Sequence, residues 1–114
     1  MATAEIQIVP VGTATPSIGD YLADAVKAAK AKGIDPIVGP TGTYLEGDVP
    51  RLLEVARAMH EATFAHGAER VMTTLVIDDR RDKETSVREM VLSVEAKVEG
   101  ESAGARPRRA PARR

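Results

Sequence analysis

Ala68-Glu69-Arg70-Val71-Met72-Thr73-Thr74-Leu75-Val76-Ile77 is the longest stretch of the chain that reads as a strand, and its composition decides the fold. Alternate residues make two faces, with Val71, Thr73, Leu75 and Ile77 on one and Met72, Thr74 and Val76 on the other. Both faces are substantially apolar, so both are expected to be covered. Helices of the same chain account for one. A third helix, another subunit, or both must account for the other.

Reading outward toward the N-terminus, Gly67 closes a helix that Asp48 can cap, with Pro50 in its first turn and Leu52, Leu53, Ala56 and Met59 as its apolar stripe. Before it, the segments 34–38 and 43–46 read as short extended pieces around the turn Gly39-Pro40-Thr41-Gly42. An earlier helix starts behind Ser17 as N-cap, carries Ile18, Leu22, Ala25 and Ala29 at helical spacing, and ends at Gly33. The chain opens on a strand from Ala4 to Val11, in which Ala4, Ile6 and Ile8 oppose Glu5, Gln7, Val9 and Val11. Toward the C-terminus, a third helix is predicted from about Glu84 to Val98, with Val87, Val91, Val94 and Val98 on one side.

The order is strand, helix, strand, strand, helix, strand, then an extra helix. This predicts an α+β fold of the ferredoxin-like βαββαβ type, an antiparallel sheet with two helices on one face and an additional C-terminal helix. Residues 1–100 form the expected domain, and 101–114, rich in Ala, Pro and Arg, form an expected disordered tail.

Composition narrows the function. At 114 residues and 43% hydrophobic the chain holds one domain with a real core. It has no cysteine, which excludes disulfides, thiolate metal sites and cysteine nucleophiles. Aromatics make up 3%, so platforms for stacking nucleic-acid bases are nearly absent. The net charge of −1 divides unevenly: residues 101–114 hold five arginines against Glu101, and the remaining 100 residues hold 11 basic and 16 acidic side chains. A body at −5 repels phosphate polymers, so nucleic-acid binding is not expected beyond the tail. With no basic start and no long apolar run, neither a signal peptide nor a membrane span is expected, and the default location is cytoplasmic.

Several clusters have two readings. Asp78-Asp79-Arg80-Arg81-Asp82-Lys83-Glu84 offers adjacent carboxylates for a cation and arginines for an anion, or is a solvated turn of alternating charges. Pro10-Val11-Gly12-Thr13 with Ser17 resembles a small backbone nest for a carboxylate or phosphate, but it lacks phosphate-loop spacing and is equally a turn and cap. Thr41-Gly42-Thr43-Tyr44-Leu45-Glu46-Gly47-Asp48 gathers two hydroxyls, an aromatic ring and two carboxylates, enough to orient a small heterocycle bearing an amine or a cationic ring. It also reads as a glycine hairpin followed by a helix cap. His60 and His66 are six apart and do not share a helix face, so both read as structural or solvated and no metal site is expected. No catalytic residue stands out among the hydroxyls.

Four segments, 3–13, 42–48, 67–71 and 77–83, together resemble the thiamine-binding protein family, and the run Ile77-Asp78-Asp79-Arg80-Arg81-Asp82-Lys83 is the most distinctive of them. The likeness spans about residues 3–98 and leaves the basic tail without a counterpart. It implies a ferredoxin-like fold, a homotetramer built by packing sheets together, and binding of thiamine or its hydroxymethylpyrimidine moiety without catalysis or further cofactor. A 4-aminopyrimidine needs an acceptor for its amine and a donor for its ring nitrogen, and the thiazolium carries a fixed charge. On that basis Glu46 is the first choice of acceptor, Thr13, Thr41 and Thr43 are hydroxyl partners, Tyr44 lies against a ring, and Asp78 or Asp79 offsets the cation. Ser17 completes the ligand-binding set through the nest.

The leading expectation is therefore a non-catalytic carrier, buffer or sensor of thiamine or a related pyrimidine. Two alternatives stand beside it. One is a regulatory module that binds another small metabolite at a subunit interface. The other is a small enzyme that uses the Asp78–Lys83 cluster with Glu46 for acid–base chemistry.

Overall fold

The computed structural model describes residues 1–12, 19–83 and 86–109. Its elements are β1 (Ala2–Pro10), α1 (Gly19–Ala31), β2 (Ile37–Val38), β3 (Thr43–Gly47), α2 (Val49–Ala62), a 3-10 turn (Thr63–His66), β4 (Val71–Asp78) and α3 (Val87–Arg109). They fall into two compact units, residues 1–84 and 85–114.

In the first unit the strands form one antiparallel sheet in the order β2-β3-β1-β4, the arrangement that the ferredoxin-like reading requires. Thr3 pairs with Glu46 on one side and Asp78 on the other, and Glu5 with Tyr44 and Val76, so the central strand sets the register of the whole sheet. Alternation does what the sequence implied. Ala2, Ala4 and Ile6 of β1 and Leu45 of β3 are buried under the helices. Ala25 and Ala29 of α1 are fully buried, and such small side chains let the helix approach closely.

The helix boundaries follow local chemistry. Gly33 takes φ +85°, its N–H donates to the Lys30 carbonyl, and the Ile34 N–H donates to that of Ala29, a Schellman closure whose Ile34 drops into the core. The Asp48 carboxylate accepts from the Arg51 N–H at 2.9 Å and caps α2. The stripe of α2 is Leu52, Val55, Ala56 and Met59; Leu53, expected in it, is half exposed. Spacing of i, i+3, i+4, i+7 explains the correction, because Leu53 lies one residue off that face.

The sheet's second face carries Glu5, Gln7 and Val9 of β1, Tyr44 and Glu46 of β3, and Met72, Thr74 and Val76 of β4. Val9, Met72 and Val76 there are between 51% and 57% exposed.

The second unit is α3. Its start lies later than the sequence suggested. The Glu89 N–H donates to Ser86 Oγ and the Ser86 N–H to Glu89 Oε1, a reciprocal capping box that fixes the first turn. The helix also runs through Gly100, the expected domain boundary, to Arg109. A glycine costs a helix about 1 kcal/mol relative to alanine without stopping it. The backbone of residues 101–109, assigned to the tail, is therefore helical. Val91, Val94 and Val98 are exposed along it.

Candidate functional site

Strands of unequal length create an opening at the hairpin end of the sheet. β3 begins at Thr43, opposite Ile6, whereas β1 continues for four more residues paired only with β4. Beyond Ile6 the ladder is open on the β3 side, and the hairpin Gly39–Gly42 turns over the gap, closed by a Gly39 N–H to Gly42 carbonyl bond of 2.8 Å. The result is a cleft of about 380 Å³ lined by Ile6, Gln7, Ile8, Leu22, Thr41 and Thr43, among others. Its size suits a small heterocycle, with apolar walls and a few polar groups to fix orientation.

Two glycines let the hairpin sit where it does. A Cβ on Gly42 would lie 2.6 Å from Glu5 Oε2, and one on Gly39 would lie 3.1 Å from both the Gly42 carbonyl oxygen and the Tyr44 ring. Glu5 and Tyr44, cross-strand neighbours on the open face, therefore support the turn from beneath. Glu5, Gln7 and Ile8 were not among the expected ligand residues. The signal was present in the alternation of β1, which sets Glu5 and Gln7 on the face that helices leave bare.

The structure divides the expected residues into groups. Thr41 and Thr43 line the hairpin cleft, with Thr43 buried on the helix side of the sheet. Tyr44 and Glu46 point to the opposite face, and Glu46 lies three positions along β3 from Thr43, about 10 Å away. Glu46 and Asp78 flank Thr3 on one rung of that face. Asp79 stands at the far end of the sheet. Thr13 and Ser17 lie outside the described residues.

That far end forms a second cleft of about 470 Å³, lined by Ala2, Asp48, Pro50 and residues 79–83, among others. Four of its charges pair within the loop. Arg81 Nη2 donates to Asp79 Oδ2 at 2.8 Å, and Arg80 Nη2 to Asp82 Oδ2 at 2.9 Å. These hydrogen bonds hold the Asp79 and Asp82 carboxyls below the usual aspartate range and push the two guanidinium groups higher. Each of these two arginines is engaged by an aspartate of the same loop. Among the described residues no three His, Cys, Asp or Glu side chains gather as a metal cluster. His60 is tied locally: its Nδ1 lies 2.7 Å from Thr73 Oγ1 and its ring meets Phe64 edge-on at 5.4 Å.

A ferredoxin-like sheet opened at its hairpin end into a ligand-sized cleft, with a second cleft at its charged end, defines a small α+β protein. The family model described as thiamine-binding protein matches residues 4–95, and the chain belongs to that family. It is 42% identical over 99 residues to a UPF0045 protein of Methanothermobacter thermautotrophicus, covering 86% of this chain and all of that one. It is 43% identical over 98 residues to the UPF0045 protein YqgV of Bacillus subtilis, covering 82% and 94%. Among solved structures, a hypothetical protein of Methanocaldococcus jannaschii superposes with a TM-score of 0.74 at 28% identity, covering 82% of this chain and 95% of that one. A candidate thiamine biosynthesis/salvage protein of Thermotoga maritima superposes at 0.67 with 20% identity, covering 82% and 97%; at that identity the likeness shows the fold alone. No helix among the described residues is long and apolar enough to cross a membrane.

Proposed function

We propose that this protein binds thiamine or its hydroxymethylpyrimidine moiety reversibly and without catalysis, as a cytoplasmic homotetramer that carries, buffers or senses the vitamin. The observation that carries the reading is the hairpin cleft, where Thr41 and Thr43 supply hydroxyls among the apolar Ile6, Ile8 and Leu22 in a protein of the thiamine-binding family. The pyrimidine lies in this cleft. Glu5, whose carboxylate sits against Gly42 at its rim, offsets the thiazolium charge in place of the more distant Asp79. The exposed Val9, Met72 and Val76 support packing of the open face against another copy, which would bring Tyr44, Glu46 and Asp78 into that interface.

Isothermal calorimetry with thiamine and hydroxymethylpyrimidine, alongside light scattering of the same sample, tests the proposal. Binding in the micromolar range or tighter, by a tetramer, is expected. Glu5→Gln should weaken thiamine more than hydroxymethylpyrimidine, because only thiamine carries the fixed cation. Absence of binding by both ligands would remove the thiamine reading.

A further inference from the structure

The open rung of the sheet has a direction, which the hydrogen-bond pattern fixes in two independent ways. In an antiparallel strand the N–H and C=O of successive residues point alternately to the two neighbours. The Val11 N–H donates to the Arg70 carbonyl at 2.8 Å, just past the end of the β1–β4 ladder. Odd-numbered residues of β1 therefore turn their amides toward β4, and even-numbered ones toward β3. The hairpin gives the same parity. The Gly39 N–H donates to the Gly42 carbonyl, so Gly42 faces β2, and Thr43 and Leu45 face β1, meeting Ile6 and Ala4.

The next even position after Ile6 is Ile8. Its Cα neighbour across β4 is Thr73, but its own N–H and C=O point the other way, to where β3 has not yet begun. Among the described residues no strand stands opposite it there. Ile8 lines the hairpin cleft together with Thr43, the last residue of the ladder before the gap. A backbone donor and acceptor on one residue are thus presented side by side in a cleft with apolar walls. In this part-exposed cleft water can hydrate them in the free protein, and a ligand that displaces that water must replace both bonds to avoid leaving a desolvated donor and acceptor. Pro10, the next even residue, has no N–H to offer. Only Ile8 supplies the pair.

We infer that the Ile8 backbone reads the ligand as a missing strand would, its N–H donating to a ring nitrogen and its C=O accepting from the adjacent exocyclic amine. The inference rests on the proposed thiamine reading and names the chemistry within it: a planar azine with an amine next to a ring nitrogen. A 4-oxo analogue in its keto form presents the reverse pattern, with carbonyl against carbonyl and N–H against N–H. Strand-edge recognition by main-chain bonds is the same physics that lets a peptide add to a sheet, applied here to a heterocycle one residue long.

The test titrates uniformly ¹⁵N-labelled full-length protein with hydroxymethylpyrimidine, and calorimetry of the same ligand follows on Ile8→Pro and Ile8→Val. The Ile8 amide proton is expected to move downfield on saturation and to gain protection from exchange. Ile8→Pro should lose about tenfold in affinity, and Ile8→Val, which keeps both backbone groups but trims the apolar wall, should lose several-fold less than Ile8→Pro. The 4-oxo analogue should bind at least about a hundredfold more weakly than the amine. Ile8→Pro removes no bond to β4, but the amide shift in the unaltered protein stands even if that variant unfolds. Binding with an unmoved Ile8 amide would overturn the inference and leave the thiamine reading intact. No binding by either thiamine or hydroxymethylpyrimidine would overturn both.

Discussion

The two ends of the sheet treat polarity in opposite ways. Where β4 runs out, every residue from Asp78 to Glu84 carries a charge, and in the described part of that loop Asp79 meets Arg81 and Asp82 meets Arg80. Where the β2–β3 hairpin ends, the cleft is lined by hydroxyls, glycines, aliphatic residues and Gln7, with no charged side chain among its described lining residues. The larger opening is at the charged end. The smaller opening is the proposed site, because charges that neutralise one another have little left for a ligand, whereas an open ladder rung offers a donor and an acceptor together.

The largest effect that would break this contrast is expected at Gly39. Its Cβ direction is closed by the Gly42 carbonyl oxygen and the Tyr44 ring, each 3.1 Å away, so Gly39→Val forces the turn and the ring apart. Overpacking of this kind costs about 1–3 kcal/mol. Urea unfolding should show that loss, and calorimetry should show thiamine affinity falling at least about tenfold. An unchanged affinity would mean that the hairpin end does not shape the site.

A smaller effect is expected from Asp48→Ala at the other end. It removes the cap that accepts from the Arg51 N–H, at a cost of about 1 kcal/mol of stability. Thiamine affinity should not change. A matching fall in affinity would move the ligand to the charged cleft, which Asp48 lines.

The contrast also explains what was legible in the sequence. The period of β1 and β4 gave the sheet and its faces, Gly33 and Asp48 gave the helix ends, and element order gave the topology, because each depends on local residue chemistry. Leu53 was misplaced because the stripe of α2 depends on where the helix is rotated against the sheet, and the true stripe uses Val55. The reciprocal Ser86 and Glu89 signature lay in plain view, and the start of α3 follows from it. The site was harder. Thr41 and Thr43 were recognisable as polar residues near a turn, but Glu46, three residues along the same strand, faces away from Thr43, as strand alternation demands of residues an odd number apart. Ile8 gave no residue-type signal at all. Its place in the proposal comes from β1 having nine residues and β3 five, a mismatch that appears only when the strands are laid side by side.

The smallest effect is the most direct probe of the charged end. Asp79 and Asp82 are held below the ordinary aspartate range, first of all by the side-chain hydrogen bonds from Arg81 and Arg80. A depressed carboxyl pKa contributes stability above its unfolded value, and that contribution is lost as the pH falls through the folded value. The window therefore lies on the acid side of the usual aspartate titration, and nothing should change between neutral pH and its upper edge. Both pairs are exposed, so solvent and salt screen them and the thermal midpoint should not register their loss. Carboxyl ¹³C titration should register it: both resonances should titrate below ordinary aspartate at low salt, return toward it in molar sodium chloride, and return most of the way in the Arg80→Gln, Arg81→Gln double variant, with Asp82 still held low by backbone hydrogen bonds and Lys83. Thiamine affinity of that variant should equal that of the unaltered protein. Ordinary titration at low salt would show that the pairs are not formed in solution. The Asp79 and Asp82 carboxylates would then be open to the thiazolium cation, and the charged end would become a competitor for the ligand.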